Sequence, residues 1–186
     1  MYRWDRPDLP HKGWLCVDLV DHEEPEFACE MCGNPEVRYE HVMAHPDVPG
    51  TIGAGCVCAG HMEEDDRAAR ERERVARNVA ARRARLQARH AQALARWADP
   101  DAWRVSEKGN YWRKARGVRV TVFRDPRTPA AWRAAIGDRF GTRTYTTAEA
   151  AMRGVFDRLF PLRRLEGDLA AHGRSTLKLP GERGFR

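Results

Sequence analysis

Hydrophobic and polar positions alternate along residues 14–20, and the alternation predicts a strand. Residues 37–43 and 51–54 carry the same pattern, with Pro46, Pro49 and Gly50 between them to make a hairpin turn. Residues 51–55 would then run antiparallel to 40–44 and return the chain toward Cys29. From Gly60 to Ala98 the pattern changes: no Pro or further Gly interrupts a run of Ala, Arg, Glu, Gln and Leu, which predicts one long helix starting near Cys58. Its first turns hold Glu63, Glu64, Asp65 and Asp66, where the helix dipole favours negative charge, and Asp99-Pro100 closes it after Trp97. Val75, Val79, Leu86, Ala93 and Trp97 form a thin apolar stripe, which fits a helix packed on one side or bridging two modules better than a coiled coil.

Beyond the helix, residues 103–106, 117–123 and 132–136 predict short strands. Val118, Val120 and Val122 share one face, and Arg119, Thr121 and Phe123 the other. Gly109-Asn110, Asp125-Pro126 and Gly137-Asp138 supply turns. Thr147 predicts the N-cap of a helix over 148–159 that ends before Pro161 and turns Ala151, Val155, Phe156 and Leu159 to the sheet. Residues 1–13, with Tyr2 and Trp4, predict a poorly ordered arm, and the stretch after Leu165 a flexible basic tail. The expected fold class is α+β: a zinc-knuckle hairpin, a long basic α-helix, then a small antiparallel sheet with one packed helix. The expected division is an acidic N-terminal module over 1–62, a charged helix over 63–99, a sheet-plus-helix domain over 100–165 and a tail over 166–186.

The knuckle rests on cysteine spacing. The chain has 5 cysteines, four of them in the pairs Cys29-x-x-Cys32 and Cys56-x-Cys58, with His41, His45 and His61 among or just after them. Thiolates and imidazoles at turn spacings are the ligands of a structural Zn2+, and an odd, clustered set in a cytoplasmic chain suits metal better than disulfides. Four unrelated core cysteines would not need those spacings. Cys29, Cys32 and Cys58 are the firmest ligands; the fourth is Cys56 or His41, with His61 and His45 behind them. Gly53 and Gly55 let the backbone pass close to the ion, and Cys16 reads as a small buried residue of the first strand. A catalytic metal would need an open position and a placed acid or base. The deaminase pattern His-x-Glu with Pro-Cys-x-x-Cys is absent, as are a Walker loop and a nucleophile elbow. The expectation is therefore a non-enzymatic protein with no small-molecule substrate.

Charge adds a partner. The net charge of +6 conceals 4 − 15 = −11 over residues 1–66 and 29 − 12 = +17 over 67–186. Codon bias toward arginine does not explain a first third so poor in it. Over 67–97, ten arginines face only Glu71 and Glu73. Arg77, Arg82, Arg83, Arg85 and Arg89 on the helix are candidate phosphate contacts, against the plainer readings of a solvated face or a face that docks the acidic module. Tyr111, Trp112, Arg113, Lys114, Arg116 and Arg119 interleave aromatic and basic side chains, as surfaces that stack bases do, whereas Trp103, Phe123 and Trp132 read as core. The expected partner is DNA or RNA, or a nucleoprotein complex to which the chain is an accessory. The alternative is a protein–protein adaptor or inhibitor. No apolar run approaches the ~18 residues of a membrane span and no signal-peptide pattern opens the chain, so a cytoplasmic location is expected, with no membrane partner.

Cys29-x-x-Cys32, then Arg38-Tyr39-x-His41-Val-Met-x-His45-Pro46, then Gly55-Cys-Val-Cys-Ala-Gly-His-Met62 resemble a group of uncharacterised bacterial zinc-knuckle proteins often found on phages and other mobile elements. The resemblance covers residues 14–160 and extends to Lys108-Gly-Asn110, Val120-x-Val-Phe123 and Glu149-Ala150. It implies a zinc-knuckle hairpin, a charged helix and a C-terminal sheet segment, and it favours His41 as a ligand; it implies no activity. The sheet-and-helix unit is also similar, through its spacing and one Thr-x-Glu-Ala-Ala string, to small DNA-binding domains of plant transcription factors and phage integrases, in which the sheet enters the major groove.

Overall fold

Alternation sets the central strand of the first sheet, whereas Leu15 and Val17, in the alternating stretch 14–20, are exposed. β1 (Leu15–Asp21), β2 (Tyr39–His45) and β3 (Val48–Ala54) lie side by side in that order, all antiparallel. In the central strand Tyr39, His41 and Met43 are buried while Glu40 and Val42 are not. His41 lies opposite Ala54 and Met43 opposite Ile52, which is the hairpin register expected from the sequence. The turn is tighter than expected: β3 begins at Val48, so Pro49 and Gly50 sit inside the strand, and the His45 Nδ1 accepts the Asp47 N–H at 3.1 Å. These features come from a computed structural model that describes residues 3–172 and 179–180. The fold is mixed α+β with two antiparallel sheets, and the chain divides into two units, residues 1–81 and 82–186.

In the first unit, α1 (Cys56–Glu63) contributes Ala59 and Met62 to the core under the sheet. The expected arm is not loose in its described part. Leu9 and Trp14 are buried, the Trp14 indole donates to the Pro10 carbonyl at 2.8 Å, and Trp4 packs on the same core. Tyr2 lies outside the described residues.

The single helix expected from Gly60 onward is two. α1 ends at Glu64, which adopts the left-handed conformation (φ 57°), and α2 (Asp66–Ala98) starts after it. The N–H groups of Glu64 and Asp65 return to the carbonyls of His61 and Gly60, closing α1. The Asp65 carboxylate then accepts the Ala68 N–H at 2.8 Å and opens α2. The acidic run 63–66 thus spans a helix break. Val75 and Val79, expected in the apolar stripe, are half exposed.

The second unit takes the later part of α2, whose Leu86, His90, Ala93 and Trp97 are buried at helical spacing. β4 (Arg104–Val105), β5 (Tyr111–Ala115), β6 (Val118–Arg124), β7 (Trp132–Ile136) and β8 (Arg139–Phe140) form a five-stranded antiparallel meander in chain order. β5 is a strand beyond those expected from the sequence, following the Gly109-Asn110 turn directly. α3 (Ala148–Leu159) is capped as expected, Thr147 Oγ1 accepting the Ala150 N–H at 3.1 Å. The tail expectation fails in its first part, where α4 (Leu162–His172) buries Leu165; the rest of that tail is largely outside the described residues. Val120 and Val122 meet Trp97, Phe156 and Phe160 in one core. The indole and imidazole groups in it are hydrogen-bonded internally: Trp97 Nε1 donates to Met152 O at 2.9 Å, Trp103 Nε1 to Trp97 O at 2.7 Å, and His90 Nε2 meets Phe160 O at 2.8 Å. Among the described residues no helix is long and apolar enough to cross a membrane.

Candidate metal centre and basic sheet face

Cys29 and Cys32 are held by a tight turn. The Gly33 N–H bonds the Cys29 carbonyl at 2.7 Å and the Cys29 N–H bonds the Asn34 carbonyl at 2.8 Å. Gly33 sits at φ 76°, a conformation that glycine adopts without strain. Cys58 reaches the same place from α1, so that the sulfur atoms of Cys29, Cys32 and Cys58 all lie within 4.8 Å of one another. Cys29 and Cys58 are buried, and the Trp4 indole N–H points at the Cys58 sulfur at 3.4 Å. The environment favours thiolate at Cys29. The Cys58 thiol hydrogen-bonds to it, and the backbone N–H groups of Gly55, Cys32 and Met31 add to the effect, outweighing burial and bringing its pKa down to about 5. The Cys58 thiol is pushed up by the same shared bond.

Cys56 is elsewhere. Both cysteines lie on α1, and side chains two apart on a helix point about 200° away from each other. Cys56 therefore joins His41 and Glu73, whose ligating atoms lie within 4.8 Å of its sulfur and of one another. Of the two residues considered for the fourth place beside Cys29, Cys32 and Cys58, both are in this second group. His41 is fully buried, not on an exposed strand, and its Nε2 has no hydrogen-bond partner. The Glu73 carboxylate is 3.6 Å from that nitrogen, too far for a hydrogen bond. Burial, with Arg72 nearby, depresses the His41 pKa to about 4, so the contact is not an ion pair at neutral pH. Burial also pushes the Cys56 thiol up to about 11 and raises the Glu73 carboxyl. The second Glu73 oxygen is held by Arg77 at 3.3 Å, and Cys16 Sγ lies 3.8 Å from His41 Nδ1. A cleft of about 410 Å³ is bordered by Cys32, Cys58, Cys56, Glu73 and Arg77.

His61 is exposed and borders a different cleft with Trp4 and His11, and His45 serves the hairpin turn. Glu73 was missed from the sequence because it belongs to another helix; the one available signal is that it is an acid in an arginine-rich run.

The second unit carries a basic face. Register sets Tyr111, Arg113 and Ala115 opposite Val122, Val120 and Val118, on the helix-covered side. Trp112 and Lys114 lie opposite Thr121 and Arg119, on the other side, and Arg104, Phe123, Arg133 and Phe140 share that side. The Arg119 guanidinium stacks 4.2 Å over the Trp112 ring and that of Arg104 5.2 Å from it, while Phe123 and Phe140 meet edge to face. No strand position on this side is acidic; Asp125, just past β6, comes within 3.9 Å of Arg133.

This separates the expected contact residues. Trp112, Lys114 and Arg119 are together on the open side. Tyr111 packs on the core, and Arg113 is half buried with its guanidinium 4.3 Å from the Trp97 ring and 5.5 Å from that of Trp103. Arg116 adopts φ 51° and donates to the Leu159 carbonyl at 3.3 Å. Phe123, read as core, is on the open side, as its own alternation with the valines requires. Arg77, Arg82, Arg83, Arg85 and Arg89 are exposed on α2. Arg77 pairs with Glu73, and Arg74 and Arg72 with Glu71 and Glu63, so the helix holds more ion pairs than its composition suggests. Compared with known proteins, the chain matches no protein family, no curated protein and no solved structure.

Proposed function

We propose that this protein binds nucleic acid non-enzymatically through the open side of the five-stranded sheet, and that a structural Zn2+ on Cys29, Cys32 and Cys58 stabilises its first unit. The observation that carries the reading is the Trp112–Arg119 stack set among Arg104, Lys114 and Arg133, with no acidic strand position on that side. Interleaved aromatic and basic side chains on a sheet can stack bases and meet phosphate with guanidinium and ammonium groups. Three thiols at knuckle spacing, two of them buried, supply three corners of a tetrahedron, and water or an outside donor from the adjoining cleft completes it. The segregation of charge along the chain supports a place in a larger nucleoprotein complex.

The test is fluorescence anisotropy with labelled single- and double-stranded DNA and RNA. Binding should weaken steeply as salt rises, and Trp112→Ala with Arg119→Gln should cost about 1–3 kcal/mol for each lost stacked base. Trp112 is not in the core, so circular dichroism should be unchanged. No binding by the wild type at low salt, or equal binding by the double variant, would favour the adaptor reading.

A further inference from the structure

We propose that His41, Cys56 and Glu73 form a second metal centre, separate from the three-thiol group, which takes a zinc-class divalent ion through imidazole, thiolate and carboxylate. Nothing about nucleic-acid binding enters this inference. It adds an ion to the one assigned above and gives Cys56 and His41 a role distinct from completing the first site.

The first support is an orphaned atom. His41 Nε2 is buried in a fully buried side chain and has no hydrogen-bond partner. Native structures rarely leave such a group unsatisfied without a reason, and a bound ion is one of the usual ones. The second is convergence. Two independent elements beyond β2 bring a thiol and a carboxylate to that nitrogen, all within 4.8 Å, about 1 Å wider than the ~3.4–3.8 Å edges of a zinc-class tetrahedron, a difference that small side-chain shifts close on binding. Nitrogen, sulfur and oxygen together suit a borderline cation, and neither a hard ion such as Mg2+ nor a soft Cu(I) prefers such a mixture.

The surroundings have the form of a supporting shell. A ligating imidazole is oriented by what its other nitrogen meets, and His41 Nδ1 has the Cys16 sulfur at 3.8 Å. A ligating carboxylate is oriented by a bond to its free oxygen, and Arg77 holds Glu73 Oε2 at 3.3 Å while Oε1 faces His41. Cys56 and Glu73 border the cleft, which gives the ion a way in and leaves a coordination position that water can fill. The three-thiol group cannot share this ion by a rotation of Cys56, since the helix places Cys56 and Cys58 on opposite sides.

The experiment is zinc analysis of the full-length reduced protein after dialysis, with Co2+ replacement as the spectroscopic check. The wild type should hold two ions per chain. Glu73→Gln and Cys56→Ser should each hold one, with unchanged circular dichroism, and Cys56→Ser should lose one thiolate-to-cobalt charge-transfer component while the three-thiolate spectrum stays. One ion in the wild type and in both variants would overturn the second centre and leave the first standing. One ion in the wild type that Cys56→Ser abolishes would overturn it in favour of a single shared site. Two ions in every variant would overturn the assignment of these ligands, and no ion in the wild type would overturn both centres.

Discussion

Cys56 and Cys58 stand two residues apart at the start of one helix and belong to different clusters of side chains able to hold a metal. In sequence they look like a pair. An extended or turn backbone would let them act as one, but helical geometry sends them to opposite sides. The consequence reaches the whole first unit, whose small core of Trp14, Met31, Met43, Ile52 and Met62 is laced with thiols.

Metal removal should therefore act on one unit. Chelation should release the ion, loosen residues 1–81 and change the fluorescence of Trp4 and Trp14, whereas the second unit, with no thiol of its own, should keep its unfolding transition. Cys32→Ser, which removes a ligand of the three-thiol group alone, should loosen the same unit and leave the second transition in place. Calorimetry with and without EDTA checks this, and a single transition that shifts as a whole would contradict it.

Gly154 faces the Tyr145 ring from within α3. A Cβ there would come within 2.6 Å of Tyr145 Cζ. Alanine is worth about 1 kcal/mol over glycine in a helix, but forcing an aromatic side chain aside costs about 1–3 kcal/mol. Gly154→Ala should lower the melting temperature despite its better propensity, and a rise would show that Tyr145 moves freely. Gly154→Ala in a Tyr145→Ala background should recover the propensity gain.

His41 gives the metal-free protein a pH dependence of known sign. Folded, it stays neutral down to about pH 4; unfolded, it takes a proton near its ordinary 6.5. Between those values the unfolded chain binds more protons, so stability is full above about 6.5 and falls as the pH drops toward 4, by on the order of 3 kcal/mol. Glu73, raised by burial, opposes this at the acid end. Urea unfolding in chelator, wild type against His41→Gln, isolates the histidine because Glu73 is common to both. Parallel pH profiles would refute the expectation.

Arg113 has no hydrogen-bond partner at Nε or Nη1, and burial pulls its pKa down, yet its guanidinium faces two indoles. Cation–π attraction of ~2 kcal/mol is set against ~1–3 kcal/mol for unsatisfied buried donors. The two nearly cancel, so Arg113→Met should stay within about 1 kcal/mol of the wild type, while Arg113→Ala should cost more by leaving a cavity beside Trp97. Denaturant midpoints decide it, and a loss above ~2 kcal/mol for methionine would mean that the stack dominates.

Much of this was legible from local pattern. The register of His41 with Ala54, the Thr147 cap and the two faces of β6 follow from periods and turn residues alone. The break at Glu64 was not legible, because glutamate carries no left-handed preference and the run of acids around it suits a helix start equally well. The separation of Arg113 from Trp112 depends on β5 being a strand at all, which Val120 and Val122 decide by pairing with it. Glu73 comes to His41 only through packing of α2 against the sheet, a relation that no spacing encodes.

The five-stranded sheet begins and ends with strands of two residues, Arg104–Val105 and Arg139–Phe140, each carrying an arginine. A long bare edge is a template for another β-strand and a route to polymerisation; edges this short and charged expose few backbone groups for a newcomer to pair with. Strand addition is thereby discouraged at both borders, and a partner of this unit has to engage side chains on its face in place of extending its hydrogen-bond ladder.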